Sequence, residues 1–268
     1  MAGYPEKHNM ILHSGPPRYY TFPEFDEGPL IHGVFTRLDG YSKPPFASLN
    51  VGHTVGDDPH AVQANHRAIY HVLGLDGADV VAAHQVHGTQ VGVVRKPTPR
   101  VYAATDALIT DRPGLALMLR FADCVPILLW ARDRGAVGLV HAGWRGTVQG
   151  VVTHAVAALG REYGVHPREI VAAIGPSIGP CCYEVGPEVI EQVLMAFPND
   201  TLLRPSGCEG HAYMDLWKAN ASQLKALGIE EIHVARLCTC CHCDLFFSHR
   251  GDSGRTGRFA VIIGLCPG

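Results

Sequence analysis

The stretch LALMLRFADCVPILLWARDRGAVGLVH, residues 115–141, decides the fold class. It contains three almost uniformly apolar runs, at 115–119, 125–130 and 136–141, joined by segments too short to hold a crossover helix. Parallel neighbours need a connection of a dozen or more residues, so strands this close in sequence argue against a strictly parallel βαβ array and for a mixed sheet. Runs without polar alternation are buried on both faces, as in sheets covered by further layers. Outward from this stretch, short apolar or β-branched runs at 80–83, 91–94, 107–110, 170–174, 232–236 and 259–263 read as further strands. Helices are expected from near Asp58, Thr147, Pro187 and Asp215. In the second of these, Val148, Val151, Val152, Ala155, Val156 and Leu159 recur with helical spacing as a core-facing stripe. Asp58-Pro59 supplies an N-cap followed by proline at the first helical position, and Gly186-Pro187 acts similarly. The expected fold is α/β, with layered mixed sheets covered by helices.

Apolar residues make up 47% of the 268 and charged residues 18%, enough to bury a sizeable core and too few charges for a disordered chain. The length suits one large α/β domain, and no linker, repeat or low-complexity tract divides residues 31–268. Residues 1–30 carry Pro5, Pro16, Pro17, Pro23 and Pro29 without apolar periodicity, and are expected to form a frayed terminus and an extended lead-in. A net charge of −3 without a basic run argues against nucleic-acid partners. The first ten residues lack an apolar signal region, and the most apolar stretch, 114–130, is interrupted by Arg120, Asp123 and Pro126. A cytoplasmic protein without a membrane partner is expected, its oligomeric state left open.

In a reducing compartment, nine cysteines point to metal binding or catalysis more than to disulfides. Three segments place a candidate ligand at or near a strand end: 80–88 with His84 and His87, 121–126 with Cys124, and 138–144 with His141. Two imidazoles and a thiolate suit Zn²⁺, and three protein ligands leave a fourth position for water or substrate. Spacing alone does not separate His84 from His87, and it equally accommodates surface histidines around a buried core thiol. A second concentration comprises Cys238, Cys240, Cys241, His242 and Cys243. Structural zinc normally draws on two separated pairs, and no second pair is evident unless Cys208, His211 or Cys266 approaches, so the tract reads as a loop with spare thiols. Adjacent Cys181 and Cys182 would point in opposite directions in extended chain, so at most one is expected to face a site. Arg37, Asn50, Arg145 and the tract 246–258 add cationic and polar groups suited to gripping phosphate or carboxylate. Arg145 stands out because it lies within four residues of His141.

The combination of Thr36-Arg37, Ser48-Leu49-Asn50, Gln85-Val86-His87-Gly88, Ala122-Asp123-Cys124, His141-Ala142-Gly143-Trp144-Arg145-Gly146 and Gly175-Pro176-Ser177-Ile178-Gly179-Pro180 resembles the YfiH family, also called the laccase-domain or multicopper polyphenol oxidoreductase family. The resemblance implies a single YfiH-type catalytic domain over residues 31–268, similar in fold to the catalytic domain of cytotoxic necrotizing factor. It also implies a zinc-bearing cytoplasmic enzyme that splits adenosine, inosine, guanosine or methylthioadenosine with phosphate and deaminates adenosine. The family's metal ligands fall on His87, Cys124 and His141, with about one zinc per chain. Asp123 is then the expected acid–base residue, Arg145 the phosphate-positioning one, and Asn50 a third catalytic candidate. Arg37, Asn50, Arg145 and Arg258 are the expected substrate-binding set. The tract 238–250 looks like the family's closing motif, except that Arg250-Gly251-Asp252 stands where tandem arginines are usual.

Older descriptions of the family imply a copper-dependent polyphenol oxidase instead, and Cu²⁺ suits the same Cys/His₂ donors. A metal-free thiol hydrolase, with Cys124 as nucleophile and His141 as base, is a third reading, and a nucleoside-binding module without turnover a fourth.

Overall fold

The computed structural model describes residues 9–97 and 101–267. In chain order the strands are β1 (Ile11–His13), β2 (Tyr19–Thr21), β3 (Leu30–Phe35), β4 (Val80–Ala82), β5 (Val91–Val93), β6 (Ala107–Thr110), β7 (Ala116–Phe121), β8 (Val125–Ala131), β9 (Ala136–Ala142), β10 (Ile170–Ile174), β11 (Glu184–Val185), β12 (Leu203–Pro205), β13 (Ala212–Met214), β14 (Glu231–Val234) and β15 (Phe259–Leu265). The helices are α1 (Pro23–Asp26), α2 (Pro59–Val72), α3 (Trp144–Val148), α4 (Val151–Tyr163), α5 (Pro187–Ala196) and α6 (Leu216–Ala226).

Two six-stranded sheets, β1-β2-β3-β15-β7-β4 and β14-β10-β8-β9-β6-β5, carry the fold, with β11-β13-β12 as a small third sheet. Both large sheets are mixed, as expected: β7 pairs antiparallel with β15 and parallel with β4, while β10 pairs antiparallel with β8 and parallel with β14. Their facing sides share one core, in which Leu117, Leu119 and Phe121 of β7 and Val261 and Ile263 of β15 meet Leu128 and Trp130 of β8 and Leu139 of β9. The outer face of the second sheet, with Ile127, Leu129 and Val140, is covered by α4 and α6 through Val152, Val156, Leu216 and Leu224. The outer face of the first sheet, with Met118, Ala260 and Ile262, is covered by α2 through Ile69. The layers therefore run helix, sheet, sheet, helix. Strands buried on both sides account for the lack of alternation in the sequence.

Three expectations need correction. The runs of residues 115–141 do not share a sheet: β7 lies in the first, β8 and β9 form a hairpin in the second, and the chain crosses between them at Ala122, Asp123 and Cys124. Asp123 takes φ +86° at that crossing, a left-handed conformation that few non-glycine residues adopt. The helix expected from Thr147 is two helices, α3 and α4, because Gly150 at φ +76° separates them, so Val148 belongs to the first. The lead-in is more than extended chain, for β1 and β2 pair antiparallel onto β3 and bury Phe22 and Phe25, although residues 1–8 of that stretch lie outside the described residues. Three-residue strands among prolines show no periodicity, and the side chains that Tyr20 and Phe25 pack on, Phe246 and Trp130, are distant in the chain. No helix among the described residues is long and apolar enough to cross a membrane.

Candidate metal centre and its cavity

After β4 the chain turns under the first sheet, and Gln85 stitches the turn to the neighbouring strand. Its amide donates to the Arg120 carbonyl at 2.7 Å and accepts from the Arg120 N–H at 3.1 Å. The next three backbone N–H groups, of Val86, His87 and Gly88, all donate to the buried carboxylate of Asp106, at 3.1, 2.9 and 2.8 Å. This nest holds His87 at φ +62°, where a side chain of its size needs support from its surroundings. Asp106 also accepts from Nδ1 of His141 at 2.9 Å, which leaves the ring's other nitrogen, Nε2, to face Cys124. Cys124 enters from the sheet-to-sheet crossing. The ligand atoms of His87, Cys124 and His141 lie within 4.8 Å of one another, and the two imidazole rings stand edge to face with centroids 5.0 Å apart.

Burial alone would raise the Cys124 thiol and hold down the His141 imidazolium. Their mutual attraction reverses both, helped by His87 on the thiol and by Asp106 on the imidazole, so Cys124 is drawn down to about 6 and His141 pushed up to about 9. The pairing favours the thiolate form of Cys124. Burial would likewise raise Asp106, but the bonds from His141 and from the Gly88 and Val86 N–H groups hold its carboxyl below the usual range.

The donor set fits a zinc-sized ion in number and softness, and the backbone leaves room for it. A Cβ at Gly143 would stand 2.9 Å from His87 Cδ2 and 3.0 Å from Cys124 Sγ, so only glycine lets the three side chains converge.

The trio opens onto a cavity of about 590 Å³, also lined by His53, His84, Arg120, Tyr183, His249, Arg250 and Arg258. Arg120 donates Nε to the Val51 carbonyl at 3.0 Å and Nη1 to that of Ala83 at 3.2 Å. Arg258 donates Nη1 to the carbonyls of Thr256 and Gly257, leaving Nη2 without a protein acceptor among the described residues.

Of the residues expected to contact substrate, the structure brings only Arg258 and Asp123 to this cavity. Asp123 is already engaged: one oxygen accepts from the hydroxyls of Thr239 and Ser248 at 2.7 Å each, and the other from the Arg250 N–H at 2.7 Å. A carboxylate with three donors fixes the loop that carries Arg250 beside the cavity. Asn50 is fully buried, donating to Asp57 at 2.8 Å and accepting from the N–H groups of Gly52 and Arg258 at 2.9 and 2.8 Å. It builds the cavity rim from behind. Arg37 donates to the carbonyls of Ala47 and Cys243, pairs with Asp252 at 3.4 Å and stacks on Phe247, so it locks two loops together away from the cavity. Arg145 is exposed, and its guanidinium lies 4.3 Å over the Trp144 ring instead of beside the trio. α3 begins at Trp144, so Arg145 stands outside the cavity lining, with its charge still felt by the lining Tyr183. His84 lines the cavity outside the cluster of donor atoms.

Asp106 was missed. The available signal was an acidic residue immediately before the buried run 107–110, where an unpartnered carboxylate is costly and therefore implies a partner.

A helix–sheet–sheet–helix sandwich with a two-histidine, one-cysteine donor set at its sheet junction defines a class of α/β protein with a candidate metal centre. The chain belongs to the multi-copper polyphenol oxidoreductase laccase family, whose model matches residues 31–266. It is 40% identical over 245 residues to "Purine nucleoside phosphorylase YlmD" of Geobacillus stearothermophilus, covering 87% of this chain and 89% of that protein. It is 42% identical over 237 residues to "Purine nucleoside phosphorylase ORF3" of Streptomyces griseus, covering 87% and 94%. Among solved structures, YlmD from G. stearothermophilus superposes with a TM-score of 0.91 at 37% identity, covering 97% of this chain and 100% of that one. The Bacillus licheniformis hypothetical protein YfiH gives 0.88 at 36%, covering 95% and 98%.

Proposed function

We propose that the protein is a zinc-dependent purine nucleoside phosphorylase that also deaminates adenosine, with His87, Cys124 and His141 as the ligands. The observation that carries this reading is the convergence of those three donors on a cavity of nucleoside dimensions walled by Arg120, Arg250 and Arg258. The names of the G. stearothermophilus and S. griseus relatives support it. Bound zinc supplies a Lewis acid and a water of lowered pKa. The chain's own groups do the rest. Asp106 holds His141 in the tautomer that presents Nε2, and the three backbone donors on Asp106 fix the His87 turn at the same time. Arg258 has a free Nη2 for phosphate, and a guanidinium there would place the anion and offset its charge as C1′ becomes oxocarbenium-like. The hydrophobic wall at Ile178 and Tyr183 suits a purine face. Adenosine, inosine, guanosine and methylthioadenosine are the proposed substrates.

The test is chromatography of inosine incubated with the enzyme and phosphate. Hypoxanthine and ribose 1-phosphate should appear, and Cys124→Ala should abolish them; equal slow rates for wild type and variant would overturn the reading. The polyphenol oxidase alternative rests on the same donors, which bind copper more tightly than zinc. It is favoured only if phenol oxidation appears with the metal present on isolation, and phenol oxidation confined to copper-loaded protein marks an adventitious activity.

A further inference from the structure

Behind the cavity wall, four sulfurs from two distant parts of the chain converge. Cys241 Sγ lies 3.5 Å from Cys181 Sγ and 3.4 Å from Cys182 Sγ, and with Cys238 all four sulfurs fall within 4.8 Å of one another. All four are free cysteines. The separations are far longer than the ~2.05 Å of a disulfide. They are close to the roughly 3.8 Å expected between sulfurs placed tetrahedrally at ~2.3 Å from one zinc ion.

Both segments are shaped for this. Cys181 and Cys182 do not lie in extended chain: the N–H groups of Cys182 and Tyr183 both donate to the Gly179 carbonyl at 3.0 Å, closing a turn from which neighbouring side chains can reach the same side. That turn corrects the expectation that at most one of the two faces a site. A β-bridge joins Ser177 to Cys238, with the Ser177 N–H donating to Leu237 and that of Thr239 donating to Ser177, so the turn and the Cys238-to-Cys241 loop are zipped side by side. Gly179 donates its N–H to Cys238 Sγ at 3.2 Å, and a Cβ on it would strike Trp217 at 2.7 Å. The Arg250 guanidinium, donating to the carbonyls of Cys182 and Glu184, supplies a positive charge beside the group.

We propose that Cys181, Cys182, Cys238 and Cys241 bind a second zinc ion as a closed structural site, distinct from the open centre at His87, Cys124 and His141. Four thiolates with no vacancy are the structural pattern of zinc, and binding releases the remaining thiol protons to solvent. The ion would clamp the wall of the cavity, since Cys182 precedes Tyr183, and Thr239, between Cys238 and Cys241, donates to Asp123 beside Cys124. The spare-thiol reading of 238–243 therefore gives way to a two-segment site whose second pair is Cys181 and Cys182.

The test is elemental analysis of the full-length protein purified without added metal, combined with mapping of alkylated cysteines. Wild type should carry about two zinc ions per chain, Cys241→Ser and Cys181→Ser about one, and Cys124→Ala about one. In native wild type, exposed Cys208 should be alkylated at once, while Cys241, although also exposed, should be protected until a chelator is added. Substitution with Co²⁺ in Cys124→Ala should give the intense thiolate-to-cobalt absorption of a tetrahedral sulfur site. Equal alkylation of Cys208 and Cys241 before chelation, a disulfide within the quartet, or unchanged zinc content in both serine variants would overturn the proposal. None of these measurements depends on catalytic turnover.

Discussion

Asp106 and His141 face each other across adjacent antiparallel strands and are joined twice: the His141 N–H donates to the Asp106 carbonyl at 2.7 Å, and the ring Nδ1 donates to the carboxylate at 2.9 Å. Backbone pairing thus sets the ring's position and the carboxylate sets its rotation. A carboxylate behind a metal-binding histidine typically accounts for about 10- to 100-fold in metal affinity. Asp106→Asn should weaken zinc binding at the His87, Cys124 and His141 site by about that factor, measured by competition against a chromogenic chelator. An unchanged affinity would show that the pair is purely a folding contact.

Gly143 makes a steric prediction. Its φ of −73° is open to any residue, so alanine there costs little in backbone strain, yet its Cβ would press on His87 and Cys124. Gly143→Ala should lower metal occupancy and reduce kcat/KM at least ~10-fold, with the melting temperature of the metal-free protein nearly unchanged. Full occupancy and activity in this variant would mean that the trio is not the reacting centre.

The two arginines separate phosphate binding from surface stacking. Arg258→Ala should raise KM for phosphate by about 10- to 100-fold, the worth of one or two charged hydrogen bonds at ~1.5–3 kcal/mol. Arg145→Ala should change it less than ~3-fold, because its guanidinium is spent on Trp144. Initial rates at varied phosphate decide the matter, and the reverse ranking would restore Arg145 to the site.

Stability should fall in mild acid. His32 Nε2 accepts from the Phe22 N–H at 2.9 Å, so the ring is neutral despite Asp26 at 3.8 Å, and burial holds its pKa at about 4. His66 bonds through Nε2 to the Val51 carbonyl and through Nδ1 to the Tyr70 hydroxyl, and burial, with Arg120 and His53 adding, holds it at about 3. Unfolding lets both rings take protons near 6.5. Their contribution is therefore complete above pH ~6.5 and declines as pH drops toward 4 and then 3, at about 1.4 kcal/mol per pH unit for each ring. Urea unfolding of chelator-treated protein between pH 7 and 4 measures this. A flat profile would sink it.

Much of the architecture was legible because it rests on local signals. Doubly buried strands such as β8 and β10 leave apolar runs, and the N-caps Asp58 and Asp215 mark helix starts by accepting from the N–H groups of His60 and Lys218. What was hidden is pairing at a distance. Nothing within residues 115–141 says that β7 and β8 belong to different sheets, and Tyr20 and Phe25 of the lead-in find their ring partners only at Phe246 and Trp130. The site followed the same division. Residue type marked His84, His87, Cys124 and His141 as candidate donors and the family resemblance selected His87, but Asp106 is defined by what it holds together. Arg37 and Asn50 look like site residues in a motif because they sit in tight loops, and the structure gives them the work of closing those loops. The two halves of the cysteine quartet read as separate features because Cys241 follows Cys181 by 60 residues and Cys182 by 59.

The crossing at Asp123 and Cys124 has a mechanical consequence. His87 lies in the loop that takes the chain from β4 of the first sheet to β5 of the second, where Asp106 beside β6 holds it; His141 belongs to β9 of the second sheet, and Cys124 sits on the later crossing from β7 to β8. An ion held by all three would tie both crossings between the sheets to β9, so the two places where the chain changes layer would be pinned at one point.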